Sequence, residues 1–223
     1  MENLTLSAKE LGGILKAFFW TALAISITYS TFQIYVMDSE FRLGLALGWF
    51  SIGATATTGL FWVFYKWIWR FRIISEFLGR PVLHGVWIGE LRSRYKVKDS
   101  NPPKIIPIVF IIRQSYLSLS IVSLTRDQEG DSKVEAILHN PRTNIFRLAY
   151  VFELRNEFAG EIRLINGAGD LNIEKHTLKG PYWTSSPSHG IIAMRRVSDC
   201  CDTVTSFPEA KRKWPAESDW KIQ

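Results

Sequence analysis

Hydrophobic residues run along this chain in two unlike rhythms. Up to about residue 80 they form long unbroken stretches. Ala17 to Met37 carries no charge over 21 positions, and Leu43 to Tyr65 carries none over 23. At 1.5 Å of rise per helical residue, either stretch crosses a hydrocarbon layer about 30 Å thick. From Pro81 the rhythm shortens to alternation of apolar and polar residues. It covers Val86–Tyr95, Ile105–Gln114, Tyr116–Thr125, Ser132–His139, Ile145–Asn156, Glu161–Ile165 with Leu171–Glu174, Thr177–Thr184 and Gly190–Val197. Alternation of period two, broken by turn chemistry such as "DSNPP", "RDQEGD", "HNPRTN" and "INGAGD", predicts strands.

The fold class expected is therefore a membrane-anchored all-β protein. Residues 1–80 form an N-terminal transmembrane hairpin with spans at about 17–37 and 43–65. Residues 81–197 form a small antiparallel, eight-stranded up-and-down β-barrel, because strands close in sequence pair as hairpins and closure removes exposed edges. Eight strands leave an interior able to hold one small ligand. Residues 198–223 form a C-terminal tail that reads as flexible or peripheral, with Trp214 and Trp220 available to dock. The first span is too long for a cleavable signal, and a second follows at once. Lys9 and Lys16 precede the spans, Lys66, Arg70, Arg72 and Arg80 follow them, and the loop between holds Arg42 beside Asp38 and Glu40. The positive-inside rule then places both termini in the cytoplasm of a multi-pass membrane protein.

Alternation also assigns faces. Trp87, Gly89, Leu91, Ser93 and Tyr95 share the inner side of the first strand, with Glu90, Arg92 and Arg94 toward solvent. Leu148, Tyr150, Phe152 and Leu154 point inward on the fifth, and Leu178, Gly180, Tyr182 and Thr184 on the seventh. The second strand is apolar on both faces, so its outer residues Ile105, Pro107, Val109 and Ile111 need cover. Arg195 and Arg196 are adjacent on the last strand, so one must face inward, and Arg195 is the cation expected in the lumen.

The net charge of +6 is modest, and from residue 81 onward Lys and Arg outnumber Asp and Glu only 20 to 16. That falls short of the basic face a polymeric nucleic acid requires. The four histidines are scattered, and Cys200 and Cys201 form an isolated pair, so neither a metal centre nor a disulfide framework is expected. No nucleophile elbow or Walker loop is present, and "GAG" at Gly167–Gly169 has too few glycines for a dinucleotide fingerprint. Neither a cofactor nor an enzymatic role is expected.

Four motifs in order carry a resemblance: "G-x-W-x-G-x-L-x-S-x-Y" at Gly85–Tyr95, "I-x-Q" at Ile112 and Gln114, "L-x-Y" at Leu148 and Tyr150, and "L-x-G-x-Y-x-T" at Leu178–Thr184. Behind two spans, they make the chain resemble the two-transmembrane, β-strand-rich effectors of bacterial cyclic-oligonucleotide anti-phage systems (CBASS). The opening Gly-x-Trp is also similar to that of lipocalin-like barrels, where the Trp plugs one end. The chain departs from the effector pattern at Ser186, where a basic residue is expected after Tyr-x-Thr, and in a fourth strand whose serines are reduced to Ser132. The effector resemblance implies a barrel that binds a cyclic di- or oligonucleotide made by a partner nucleotidyltransferase. It also implies homo-oligomerisation, and helices that disrupt the inner membrane and kill the infected cell.

For such a ligand, Trp87, Tyr95, Tyr150 and Tyr182 offer stacking faces, Ser93, Gln114 and Thr184 polar contacts, and Arg195 a charge. Arg113 and Tyr116, placed near a barrel mouth, are second choices. In the spans, Gly44, Gly48, Ser51, Thr55 and Thr58 form one stripe, and Ala22, Ser26, Tyr29 and Gln33 another. The Gly44–Gly48 spacing suits close helix approach, and the Gln33 amide needs a partner in lipid. These stripes either pack the hairpin or join protomers. Two other functions fit the residues: a membrane-tethered, lipocalin-like carrier of a lipid or small molecule, and a scaffold recruiting partners through Val109 and Ile111.

Overall fold

The computed structural model describes residues 3–4, 8–37, 43–94, 103–158, 161–186 and 188–221. The chain divides into two compact units, Leu6–Leu78 and Gly79–Gln223 together with Met1–Thr5.

The first unit is helical. The uncharged stretches become α1 (Ala8–Tyr35) and α2 (Leu43–Lys66), followed by a single 3-10 turn at Ile68–Arg70 and a short α3 (Arg72–Phe77). Both long helices are long and apolar enough to cross a membrane, over Leu11–Tyr35 and over Leu47–Arg70, the latter running through the 3-10 turn. Their hydroxyls are satisfied internally: Ser26, Ser30, Thr31, Thr57 and Thr58 each donate to the carbonyl four residues back, at 2.7–2.9 Å. Such bonding suits an environment without water. Gln33 Nε2 likewise donates to Tyr29 Oη at 2.9 Å.

The two helices meet where their backbones come closest. A Cβ on Gly53 would collide with Ser26 Oγ and lie 2.8 Å from Ala22 O. Ala22, Ser26 and Thr57 are buried there, and Phe18 meets Phe61 edge to face at 6.5 Å. The α1 stripe thus packs the hairpin through Ala22 and Ser26. The α2 stripe does not: Ser51 and Thr55 are exposed, and the space around Gly48 is open. The seam falls on Gly53 and Thr57, a different face of the helix from the Gly44–Gly48–Ser51–Thr55 line.

The second unit is a closed, eight-stranded antiparallel barrel. A two-residue β1 (Asn3–Leu4) lies beside β4, while the barrel itself runs β2 (Gly85–Ser93), β3 (Lys104–Gln114), β4 (Ser118–Leu124), β5 (Glu129–Asn140), β6 (Ile145–Phe158), β7 (Glu161–Glu174), β8 (Thr177–Thr184) and β9 (His189–Ser198). Each strand pairs with the next, and β9 returns to β2, so the meander closes. The β4–β5 ladder is short, limited to Val122–Leu124 against Glu129–Asp131. One expectation changes here. "INGAGD" is not a turn, because β7 is one continuous strand through it, paired with β6 over its full length.

The inward positions form one core: Trp87, Phe110, Ile112, Leu119, Leu148, Leu171, Leu178 and Met194 are essentially fully buried. Outside the barrel, the last segment is not peripheral. A turn at Cys201–Thr203, α4 (Phe207–Lys213) and a turn at Glu217–Asp219 lie against the outer faces of β2 and β3. Val204, Ala210 and Trp220 cover Val86, Ile88, Val109 and Ile111, so two of the four outer residues of the two-faced strand are covered, while Ile105 stays exposed and Pro107 half-buried. With Val109 and Ile111 buried, recruitment of partners through them is ruled out for this conformation. Glu90, expected toward solvent, is buried too, with Arg92 Nε donating to its Oε1 at 2.8 Å.

Candidate ligand-binding cavity

The barrel has a closed end and an open end. At the closed end, where the chain enters at Gly85, Trp87 is fully buried in the core and donates through Nε1 to Leu83 O at 2.8 Å. The Arg196 guanidinium lies 5.9 Å above that indole and donates to Val82 O at 3.2 Å. Gln114 Oε1 accepts from the backbone of Leu83 (2.6 Å) and His84 (3.2 Å), and its Nε2 donates to Pro81 O at 3.1 Å. These contacts staple the incoming chain across the barrel bottom.

Toward the other end, the lumen opens into a cavity of about 340 Å³. Glycines set its shape. One row of paired inward positions crosses seven strands in register: Glu135, Tyr150, Gly169, Tyr182, Gly190, Ser93 and Lys104. Each of its two tyrosine rings lies over a neighbouring glycine. A Cβ on Gly169 would sit 2.6 Å from Tyr150 Cζ and Oη, and one on Gly190 would sit 2.9 Å from Tyr182 Cε1. In the next row Phe152 lies over Gly167 in the same way, with Thr184 beyond. The inner wall is completed by Leu91, Ile108, Phe110 and Ile192.

The rim is polar and made of hydroxyls. Ser93 Oγ and Ser188 Oγ are 3.3 Å apart, Thr184 Oγ1 bonds Ser186 O at 2.8 Å, and Ser123 Oγ and Thr125 Oγ1 bond the backbone of the β4–β5 hairpin. Asp127, Gln128 and the exposed Lys104 stand at the mouth. Among the described residues lining the cavity, Lys104 is the one cation. Burial pushes the Tyr150 phenol well above its ordinary pKa, with nearby Tyr182 adding to the rise, so it stays protonated across the physiological range.

Of the residues singled out in the sequence, Ser93, Tyr150, Tyr182 and Thr184 come together on this wall. Trp87 and Gln114 do not; they belong to the closed end, where packing and backbone contacts use them. Arg195 points outward: its Nη2 pairs with Asp219 Oδ1 at 2.8 Å and its Nε donates to Asp219 O at 3.0 Å, pinning the tail. Arg196 is the inward member of the pair, but at the plugged end. Arg113 and Tyr116 also sit by the β3–β4 hairpin at the closed end: Arg113 lies 3.8 Å from Asp202, and Arg80 stacks 5.1 Å over Tyr116. Tyr95 lies outside the described residues.

Sequence reading missed Lys104, Phe110, Ser123, Thr125, Asp127, Gln128 and Ser188. Lys104 and Phe110 were legible as the inward partners of Ile105 and Val109 on the same strand. The others belong to hairpins and strand ends, where period two stops being informative. Ser186, the position where the resemblance called for a cation, is part of the wall. Among the described residues no three His, Cys, Asp or Glu side chains gather to hold a metal. No protein-family model matches the chain, and no curated protein matches it significantly.

Proposed function

We propose that this protein is a ligand-gated membrane effector of bacterial antiviral defence, in which the barrel receives a cyclic di- or oligonucleotide and the helices act on the inner membrane. The observation that carries the reading is the cavity: an aromatic, hydroxyl-rich lumen, plugged at one end and open at the other, on the same chain as two apolar helices. Flat bases find Tyr150, Tyr182, Phe110 and Phe152, and sugar and phosphate oxygens find the hydroxyl rim and Lys104.

Membrane anchoring is supported by what the helices leave uncovered. Phe19, Trp20, Ile27, Phe32, Leu47, Phe50 and Leu60 are 47–68% exposed, which a buried hairpin of a water-soluble core would not tolerate. Pairing of Asn3–Leu4 with β4 supports placing both termini on one side, since two crossings separate that strand from the barrel. Basic residues flanking the spans make that side the cytoplasm. The Gly48, Ser51 and Thr55 positions of the α2 stripe, exposed and outside the hairpin seam, support assembly of protomers on activation.

A second reading, a membrane-tethered carrier of a lipid or small apolar molecule, is favoured by one specific feature: most of the described lining below the mouth is apolar or aromatic, with Leu91, Ile108, Phe110, Phe152, Leu154 and Ile192. Titration of the detergent-solubilised chain with cyclic di- and trinucleotides separates the two. Micromolar binding of one ring, with growth arrest when its synthase is co-expressed, supports the effector. Silence across the panel together with a co-purified acyl chain in native mass spectrometry supports the carrier.

A further inference from the structure

The cavity holds two phenol hydroxyls that no described residue uses. Tyr150 and Tyr182 are each only 4% exposed, both line the cavity, and neither hydroxyl bonds to a protein group among the described residues. The rim hydroxyls differ, since Thr184, Thr125 and Ser123 are committed to nearby backbone carbonyls. Both phenols open onto the cavity, so their donors are available to whatever enters it. The strand register shows that the arrangement is built: Gly169 and Gly190 flank Tyr182 in the paired row, and side chains there would displace the two rings.

We propose that Tyr150 and Tyr182 form a two-donor subsite that takes an uncharged acceptor, such as a nucleobase carbonyl, with the ligand's phosphates held outside at the rim. The inference rests on the nucleotide reading above and adds the orientation of the ligand and the residues that read its base. The surrounding wall decides the charge of the group accepted. Leu91, Ile108, Phe110, Phe152 and Ile192 line the cavity with the phenols, the buried acidic Glu135 is the register partner of Tyr150, and the one cation of the described lining, Lys104, is exposed at the mouth. A phosphate driven to that depth would lose its hydration without gaining a counter-charge, whereas a carbonyl needs only the two donors. Base first and phosphate outermost is the orientation that satisfies both ends.

The test is calorimetric titration of the full chain in detergent with cyclic di-UMP, cyclic di-GMP and cyclic di-AMP. Uracil and guanine carry carbonyls and adenine carries none. The expected result is at least ten-fold tighter binding of a carbonyl-bearing ring than of cyclic di-AMP. Tyr150→Phe and Tyr182→Phe, nearly isosteric changes, should each erase that preference about ten-fold while leaving the melting temperature in place. Lys104→Ala should weaken every ring alike and flatten the salt dependence. Binding that is indifferent to both Phe variants, or equal affinity for all three rings, overturns the subsite and leaves the nucleotide reading standing. Silence of all three rings, and of their trinucleotide counterparts, against the wild-type chain overturns the nucleotide reading and the subsite with it.

Discussion

The plugged end and the open end of the barrel are lined by the same class of inward strand position, yet they treat polar side chains in opposite ways. At the plugged end Gln114 spends its amide on the backbone of Pro81, Leu83 and His84, and the Trp87 N–H is taken by Leu83 O. At the open end the Tyr150 and Tyr182 hydroxyls keep their capacity and border empty volume. Polarity and an inward direction are therefore insufficient to mark a ligand contact. What distinguishes the two ends is how much hydrogen-bonding capacity the described residues of the fold already use.

The sharpest break of this comparison is Trp87→Ala. Removing a fully buried indole leaves a cavity, and the barrel should lose about 3–5 kcal/mol, read from denaturant unfolding followed by near-UV circular dichroism. Tyr182→Phe, at the open end, should cost no measurable stability; equal losses would mean the two ends do not differ. Gln114→Leu comes next. It removes the acceptor of the buried Leu83 N–H, worth about 1–3 kcal/mol, and of the half-buried His84 N–H, and should destabilise the chain without altering ligand affinity.

Arg195→Ala should cost about 1 kcal/mol or less, because its pair with Asp219 is partly exposed and screened. Limited proteolysis should then trim the tail sooner, with binding unchanged; a fall in affinity would put the tail into the ligand's reach. Maleimide labelling of the native chain should modify exposed Cys200 and spare Cys201, which is buried against Ile112 O and whose thiol burial pushes toward the protonated form. Labelling of both would show that the segment covering β2 and β3 lifts away.

The smallest effect is expected at Glu209. The Thr205 backbone N–H and hydroxyl hold its carboxyl below the usual carboxylate pKa. A lowered folded-state pKa stabilises above the unfolded value and is lost as pH falls through the folded one. Glu209→Gln should therefore slightly flatten the acid limb of a melting-temperature profile and leave the neutral region unchanged.

The barrel was legible because period-two alternation survives in almost every strand, and an up-and-down path follows from short connections. β7 was the exception. Gly167 and Gly169 read as turn residues, whereas their task is to leave room for Phe152 and Tyr150 from the strand beside them. Nothing within "INGAGD" announces that, because the rings that need the space lie 15–19 residues earlier. The site was legible where faces could be assigned, as at Ser93, Tyr150, Tyr182 and Thr184. It was misread at Arg195, because adjacency with Arg196 says that one points inward without saying which, or at which end of the lumen.

Composition and periodicity alone determined two long apolar helices, a set of short alternating strands and the direction of most side chains within each strand. These are local properties, set by residue spacing along a single element. The tertiary structure decided which inward positions are filled and which border a void, that the tail covers β2 and β3, and that Gly53 rather than Gly48 makes the helix seam. Each of those outcomes depends on volumes and hydrogen-bond partners supplied by residues distant in sequence, and only the folded register brings them together.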